Sequence, residues 1–122
     1  MFTIGKTFGF EASHQLAGLP DGHQCARLHG HSYSFTVELT APALDDVGFV
    51  VDYGELAPIK ELVDLELDHR HLNTVLGALN PTAEHLAWWL FQRIAPIVDD
   101  RGGQLVAVRV SETTKTFSEY RP

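Results

Sequence analysis

His29-Gly30-His31-Ser32-Tyr33-Ser34-Phe35-Thr36-Val37-Glu38-Leu39 alternates without a break. Tyr33, Phe35, Val37 and Leu39 fall in one phase. Ser32, Ser34, Thr36 and Glu38 fall in the other, which is the pattern of a strand buried on one face. The reading predicts a strand over about residues 30–40, ended by Pro42. His29 and His31 are in phase with the aromatic residues, because side chains at i and i+2 share a face of a strand. Gly30 leaves room between the two imidazoles, which can then reach one metal ion.

Upstream, residues 2–14 alternate as well, with Phe8, Phe10, Ala12 and His14 on one face. If the two strands pair, three neutral imidazoles converge. Three histidines with an open fourth position are the ligand set of a catalytic zinc site rather than a closed structural one. The plainer alternative is a group of half-buried histidines hydrogen-bonded to backbone carbonyls.

Residues 15–28 carry Gly18, Pro20 and Gly22 and read as a loop. Asp52-Tyr-Gly-Glu55 reads as a variant capping box, with Asp52 as cap and Glu55 reaching back. Leu56, Ile59, Leu62, Val63 and Leu67 follow at helical spacing, with Pro58 in the first turn. Asn80-Pro81-Thr82 starts a second helix with the stripe Leu86, Trp89, Leu90, Ile94 and Ile97, which Pro96 kinks or ends. Leu105–Glu112 is a third strand, and Thr114–Tyr120 a fourth. The order β-β-α-α-β-β predicts an α+β fold: a four-stranded, mainly antiparallel sheet with two helices on one face. The uncovered face and the sheet edges call for a partner, so a homo-oligomer is expected.

The 122 residues suit one domain spanning 1–122. A net charge of −7 with no lysine or arginine run argues against nucleic acid as partner, while leaving a small anionic ligand open. The longest apolar runs, such as Leu86–Phe91, are too short to cross a bilayer, and the N-terminus lacks the pattern of a secretion signal. Cys25 is the only cysteine, which fits a reducing cytoplasm and makes it a candidate for chemistry. Its polar neighbours Gly22, His23, Gln24 and Arg27 favour exposure over burial as a small hydrophobe.

Asp68-His69 follows the first helix. A carboxylate beside a histidine orients the ring and raises its basicity, although adjacent side chains ordinarily diverge; the alternative is a solvated helix end. Glu112 ends the apolar phase Val106, Val108, Val110, either at the sheet rim or half-buried with a partner bearing adjacent N–H donors. Tyr53, Trp88, Trp89, His23, His71 and His85 read as packing residues.

Taken in order, Phe10-Glu-Ala-Ser-His14, Cys25-Ala-Arg-Leu-His29-Gly-His31, Gly48-Phe-Val-Val-Asp52-Tyr53, Asp68-His69-Arg-His-Leu72-Asn73, Asn80-Pro81-Thr82-Ala-Glu84 and Glu112-Thr113 resemble the 6-pyruvoyl-tetrahydropterin synthase family over nearly the whole chain. The three residues between Cys25 and His29 resemble its 6-carboxy-tetrahydropterin synthase branch, which serves queuosine and related deazapurine pathways. The resemblance implies the tunnelling fold, whose sheets join as barrels in trimers or hexamers with sites at subunit interfaces. It implies zinc on His14, His29 and His31, a pterin anchor at Glu112, and proton abstraction by Cys25 as a thiolate. His69, oriented by Asp68, would transfer protons on the opposite side. The implied substrate is 7,8-dihydroneopterin triphosphate, and the implied products are 6-carboxy-tetrahydropterin, acetaldehyde and triphosphate. The pyruvoyl-forming synthase and a non-catalytic pterin- or metal-binding module are the alternatives.

Overall fold

The computed structural model describes residues 1–122. Strand β1 is Phe2–His14 and strand β2 is His29–Ala41, close to the spans that alternation predicts. A 3₁₀ turn at Tyr53–Leu56 leads into helix α1, Ala57–Glu66. Strand β3 (Arg70–His71), helix α2 (Leu72–Leu76) and helix α3 (Ala83–Asp99) follow, then strands β4 (Gln104–Ser111) and β5 (Ser118–Tyr120).

The sheet has five strands, in the order β3-β1-β2-β4-β5, rather than four. The extra strand, β3, runs parallel to β1, whereas β1–β2, β2–β4 and β4–β5 are antiparallel. Two residues carry no readable periodicity, so β3 left no sequence signal. It forms because the free edge of β1 offers hydrogen bonds: His69 N–H donates to the Glu11 carbonyl at 2.6 Å, and Glu11 N–H donates to Asp68 Oδ1 at 2.9 Å. The fourth expected strand is shortened to β5. Thr113–Thr116 are exposed turn residues, and Phe117 lies with its ring 4.1 Å from the Arg109 guanidinium.

Phe8, Phe10, Ala12 and His14 of β1 and Tyr33, Phe35, Val37 and Leu39 of β2 all face the helices and are buried. Helix α3 lays Leu86, Ala87, Leu90, Phe91, Ile94 and Val98 against them, and α1 adds Ile59, Leu62 and Val63. Its start is as read: the Thr82 hydroxyl accepts from His85 N–H at 3.1 Å. The helix runs three residues past Pro96, which sits in its last turn. Asp52 caps the 3₁₀ turn by accepting from Gly54 N–H at 2.9 Å, while Glu55 faces Arg101 rather than reaching back.

Two expectations need correction. Tyr53 and Trp88 do not pack: they are 53% and 41% exposed, and only Trp89 of the three lies against the core. The uncovered face of the sheet, read as calling for a partner, carries no aromatic residue of β1 or β2. That face is polar and internally bonded, with Thr7 Oγ1 and Thr36 Oγ1 2.8 Å apart and Ser32 Oγ donating to Glu11 at 2.7 Å. Four of the ten exposed large apolar residues, Phe2, Leu44, Phe49 and Tyr53, line one hollow.

Leu90 is fully buried between α3 and the sheet. Leu90→Ala is expected to destabilise the chain by about 3 kcal/mol, read as a lowered urea midpoint. A loss below about 1 kcal/mol would place the core elsewhere.

Candidate active site

The register of β1 on β2 builds the site. His14 lies directly opposite His29, and His31 is opposite Ala12 one residue pair along the same face. The three rings meet edge to face, with centroids 4.5 to 5.1 Å apart. One nitrogen from each comes within 4.8 Å of the others. Strand parity anticipated this convergence on the condition that the two strands pair, which they do.

Backbone carbonyls orient two of the rings. His14 Nδ1 donates to the Pro81 carbonyl at 2.8 Å, and His29 Nδ1 donates to the Arg27 carbonyl at 2.7 Å. Each ring therefore keeps its proton on Nδ1 and turns a bare Nε2 inward. The two Nε2 atoms face one another at 2.9 Å. With the third imidazole they form a convergent nitrogen donor set that fits a metal ion seated beside them. Burial lowers the pKa of His14 below 6.5, outweighing the Pro81 hydrogen bond and the Glu112 charge that raise it. His14 is thus held neutral, the form a ligand must have. The Tyr33 hydroxyl lies 3.1 Å from His14 Nδ1, and burial holds that phenol protonated by pushing its pKa up.

Glu112 stands one residue beyond β4. Its Oε2 lies 3.3 Å from His14 Nε2 and 3.2 Å from His31 Nε2. The carboxylate is thus a half-buried group at the edge of the trio. Cys25, half-exposed in a 3₁₀ turn at Gln24–Ala26, shares a cavity of about 260 Å³ with Gln24, His29 and His31. The turn is pinned by Leu16 N–H donating to the Cys25 carbonyl at 3.0 Å. His23, read as packing, accepts from Cys25 N–H at 3.1 Å instead.

Asp68 and His69 do touch. His69 has φ +58°, a left-handed conformation uncommon outside glycine, and this turns its ring back onto Asp68. Asp68 Oδ2 lies 2.9 Å from His69 Nδ1 while Oδ1 accepts from Glu11 N–H. The Glu11 N–H, then His69, lower the pKa of Asp68 and keep it ionised. His69 is 79% exposed and opens onto a different hollow, about 580 Å³, floored by Glu11, Ser13, Gly30 and Ser32. No hydrogen bond or ion pair joins it to Cys25 within one chain. His31 is the residue that borders both cavities.

Sequence reading missed the groups that hold His14 in place. The Asn73 side-chain amide bonds both backbone groups of Gln15, and the Asn80 amide does the same for Ala17, at 2.8 to 3.0 Å. The two amides act as short strand partners for the chain leaving His14. Their positions in Leu72-Asn73 and Asn80-Pro81 were the available signal, but nothing in the sequence says what an amide will bond.

The family model described as 6-pyruvoyl tetrahydropterin synthase matches residues 3–122. A 6-carboxy-5,6,7,8-tetrahydropterin synthase of Synechocystis is 37% identical over 126 residues, covering 98% of this chain and 93% of the relative. A dihydroneopterin monophosphate aldolase of Pyrococcus furiosus is 34% identical over 85 residues, 70% of this chain and 71% of that one. The structure of Caenorhabditis elegans 6-pyruvoyl tetrahydropterin synthase superposes with a TM-score of 0.84 at 25% identity, over 99% of this chain and 95% of its own.

Proposed function

The chain belongs to the 6-pyruvoyl tetrahydropterin synthase family and has its tunnelling fold, and from that premise we propose that it is a 6-carboxy-5,6,7,8-tetrahydropterin synthase. The reaction is a zinc-dependent carbon–oxygen lyase conversion of 7,8-dihydroneopterin triphosphate to 6-carboxy-5,6,7,8-tetrahydropterin. One water is consumed, acetaldehyde and triphosphate leave, and the product feeds queuosine or related deazapurine synthesis. The observation that carries the reading is the imidazole trio with a carboxylate on one side and a thiol-lined cavity on the other. The three-residue gap between Cys25 and His29 and the Synechocystis relative support the carboxy-forming branch. One unpaired cysteine suits a reducing cytoplasm.

His14, His29 and His31 are the residues that hold the metal. Bound there, zinc supplies Lewis-acid polarisation of the substrate's side-chain oxygens. Glu112 accepts two parallel hydrogen bonds from the N–H edge of the pterin and fixes the ring beside the imidazoles. Cys25, as a thiolate, removes a proton from the substrate side chain. Asp68 holds His69 by Nδ1, which leaves Nε2 to exchange protons from the other side. Cys25 and His69 line separate cavities in one chain, so the complete site combines protomers of a trimer or hexamer.

Incubation with dihydroneopterin triphosphate, followed by mass spectrometry and aldehyde trapping, tests the assignment. One equivalent each of acetaldehyde and 6-carboxy-tetrahydropterin is expected. Formation of 6-pyruvoyl-tetrahydropterin without aldehyde would make the chain a pyruvoyl-forming synthase. Pterin binding with no product would make it a non-catalytic binding module.

A further inference from the structure

The turn that carries Cys25 has no hydrophobic anchor. None of Gln24, Cys25 and Ala26 is buried, and Arg27 and Leu28, which lead into β2, are exposed. A segment without packed side chains keeps its place through hydrogen bonds, and a 3₁₀ turn this short supplies few of its own. Ala26 N–H donates to the His23 carbonyl at 3.0 Å and Arg27 N–H to the Gln24 carbonyl at 3.1 Å. These two close the turn without fixing it on the rest of the chain.

The fixing comes from the segment that leaves His14. Leu16 N–H donates to the Cys25 carbonyl at 3.0 Å, and the side-chain amide of Gln15 donates through Nε2 to the Ala26 carbonyl at 2.9 Å. Gln15 is itself firmly held, because the Asn73 amide bonds its backbone N–H at 2.9 Å and its carbonyl at 2.8 Å. Its backbone continues directly from His14, whose imidazole belongs to the trio. One exposed glutamine thus ties the carbonyl next to Cys25 to the strand that carries an inward imidazole. At the other side of the turn His23 is the N-cap, with φ −65° and ψ 130°, and its Nδ1 accepts from Cys25 N–H at 3.1 Å. That is the bond a serine, aspartate or asparagine cap ordinarily makes. The backbone on both sides of the Cys25 Cα is therefore held by a named side chain.

Resting on the proton-abstracting role given to Cys25 above, we propose that Gln15 and His23 are positioning residues for that thiol, holding its turn so that the sulfur meets the substrate side chain beside the imidazoles. Both act through Cys25 rather than on the substrate. A small displacement of a reacting group costs rate more than affinity, so loss of either bond slows the chemical step and leaves metal and pterin binding as they were.

Three variants test this. Gln15→Met keeps the side-chain length and removes the donor, His23→Ala removes the acceptor, and His23→Asn restores one. Both positions are exposed, so the core is untouched. Zinc content, neopterin affinity and single-turnover rate are measured on zinc-loaded protein, together with alkylation of Cys25 by iodoacetamide with and without saturating neopterin. Cys25 is the only cysteine, so alkylation reads this thiol alone. Gln15→Met and His23→Ala should each lower the single-turnover rate about 10-fold. Both should keep a full complement of zinc and bind neopterin within about 2-fold of wild type. Bound neopterin should shield the thiol in wild type and shield it less in these two variants. His23→Asn should recover most of the rate and of the shielding. Wild-type rate and shielding in Gln15→Met or in His23→Ala would overturn the assignment of that residue, and a His23→Asn as slow as His23→Ala would overturn it for His23. A loss of zinc or of neopterin affinity that matches the loss of rate would overturn it as well, since that marks a structural role. A wild-type rate in Cys25→Ala removes instead the functional reading on which the inference rests.

Discussion

Cys25→Ala is expected to lower turnover of dihydroneopterin triphosphate by about 10²- to 10⁴-fold, with fold and metal content unchanged. Cys25 lines the cavity beside His29 and His31 and its thiol bonds to no protein group, so removing the thiol breaks no hydrogen bond of the fold. The backbone bonds that hold the turn, from Leu16 N–H to the Cys25 carbonyl and from Cys25 N–H to His23, survive the substitution. Single-turnover measurement with zinc-loaded protein reads the effect. A variant within about 3-fold of wild type would remove Cys25 from the proton path. The same variant tests where His69 acts. Separately inactive Cys25→Ala and His69→Ala chains, mixed during refolding, should recover roughly a quarter of wild-type activity if each site draws on two protomers. No recovery would confine the site to one chain.

His29→Ala is expected to abolish both metal binding and turnover. His29 supplies one of the three inward nitrogens, and its Nε2 faces that of His14 at 2.9 Å. With it gone, His14 and His31 leave a two-nitrogen site. Bound metal after dialysis should fall from about one ion per chain to below about one in ten. Retention of a full equivalent would mean that the ion sits elsewhere. Acid should act in the same direction on wild type. Protons compete for imidazole as pH falls through the ordinary histidine range near 6.5, so metal affinity weakens on acidification. Burial, which lowers the pKa of His14, works against protonation of that ring.

The parts of this molecule that were legible in the sequence are those written in a period. Alternation over residues 2–14 and over about residues 30–40 anticipated both long strands, and the same parity put three histidines on one face. Asn80-Pro81-Thr82 announced the start of α3. The illegible parts depend on what one backbone offers another. Arg70–His71 is a strand only because Glu11 has a free edge. Asp68 meets His69 only because φ at His69 is positive, which no local pattern signals for a histidine. Asn73 and Asn80 hold the segment after His14 through amide pairs that span more than fifty residues. Tyr53 and Trp88 misled because aromatic residues are read as core, while each sits on the outward side of its helical turn.

Turnover by chelator-stripped protein, followed as zinc is added back, is the most direct measurement. Product formation should be negligible in the stripped protein and rise linearly to a break at one zinc per chain. Full turnover with less than about one ion per ten chains would contradict the account, because the three imidazoles would then have no part in the chemistry.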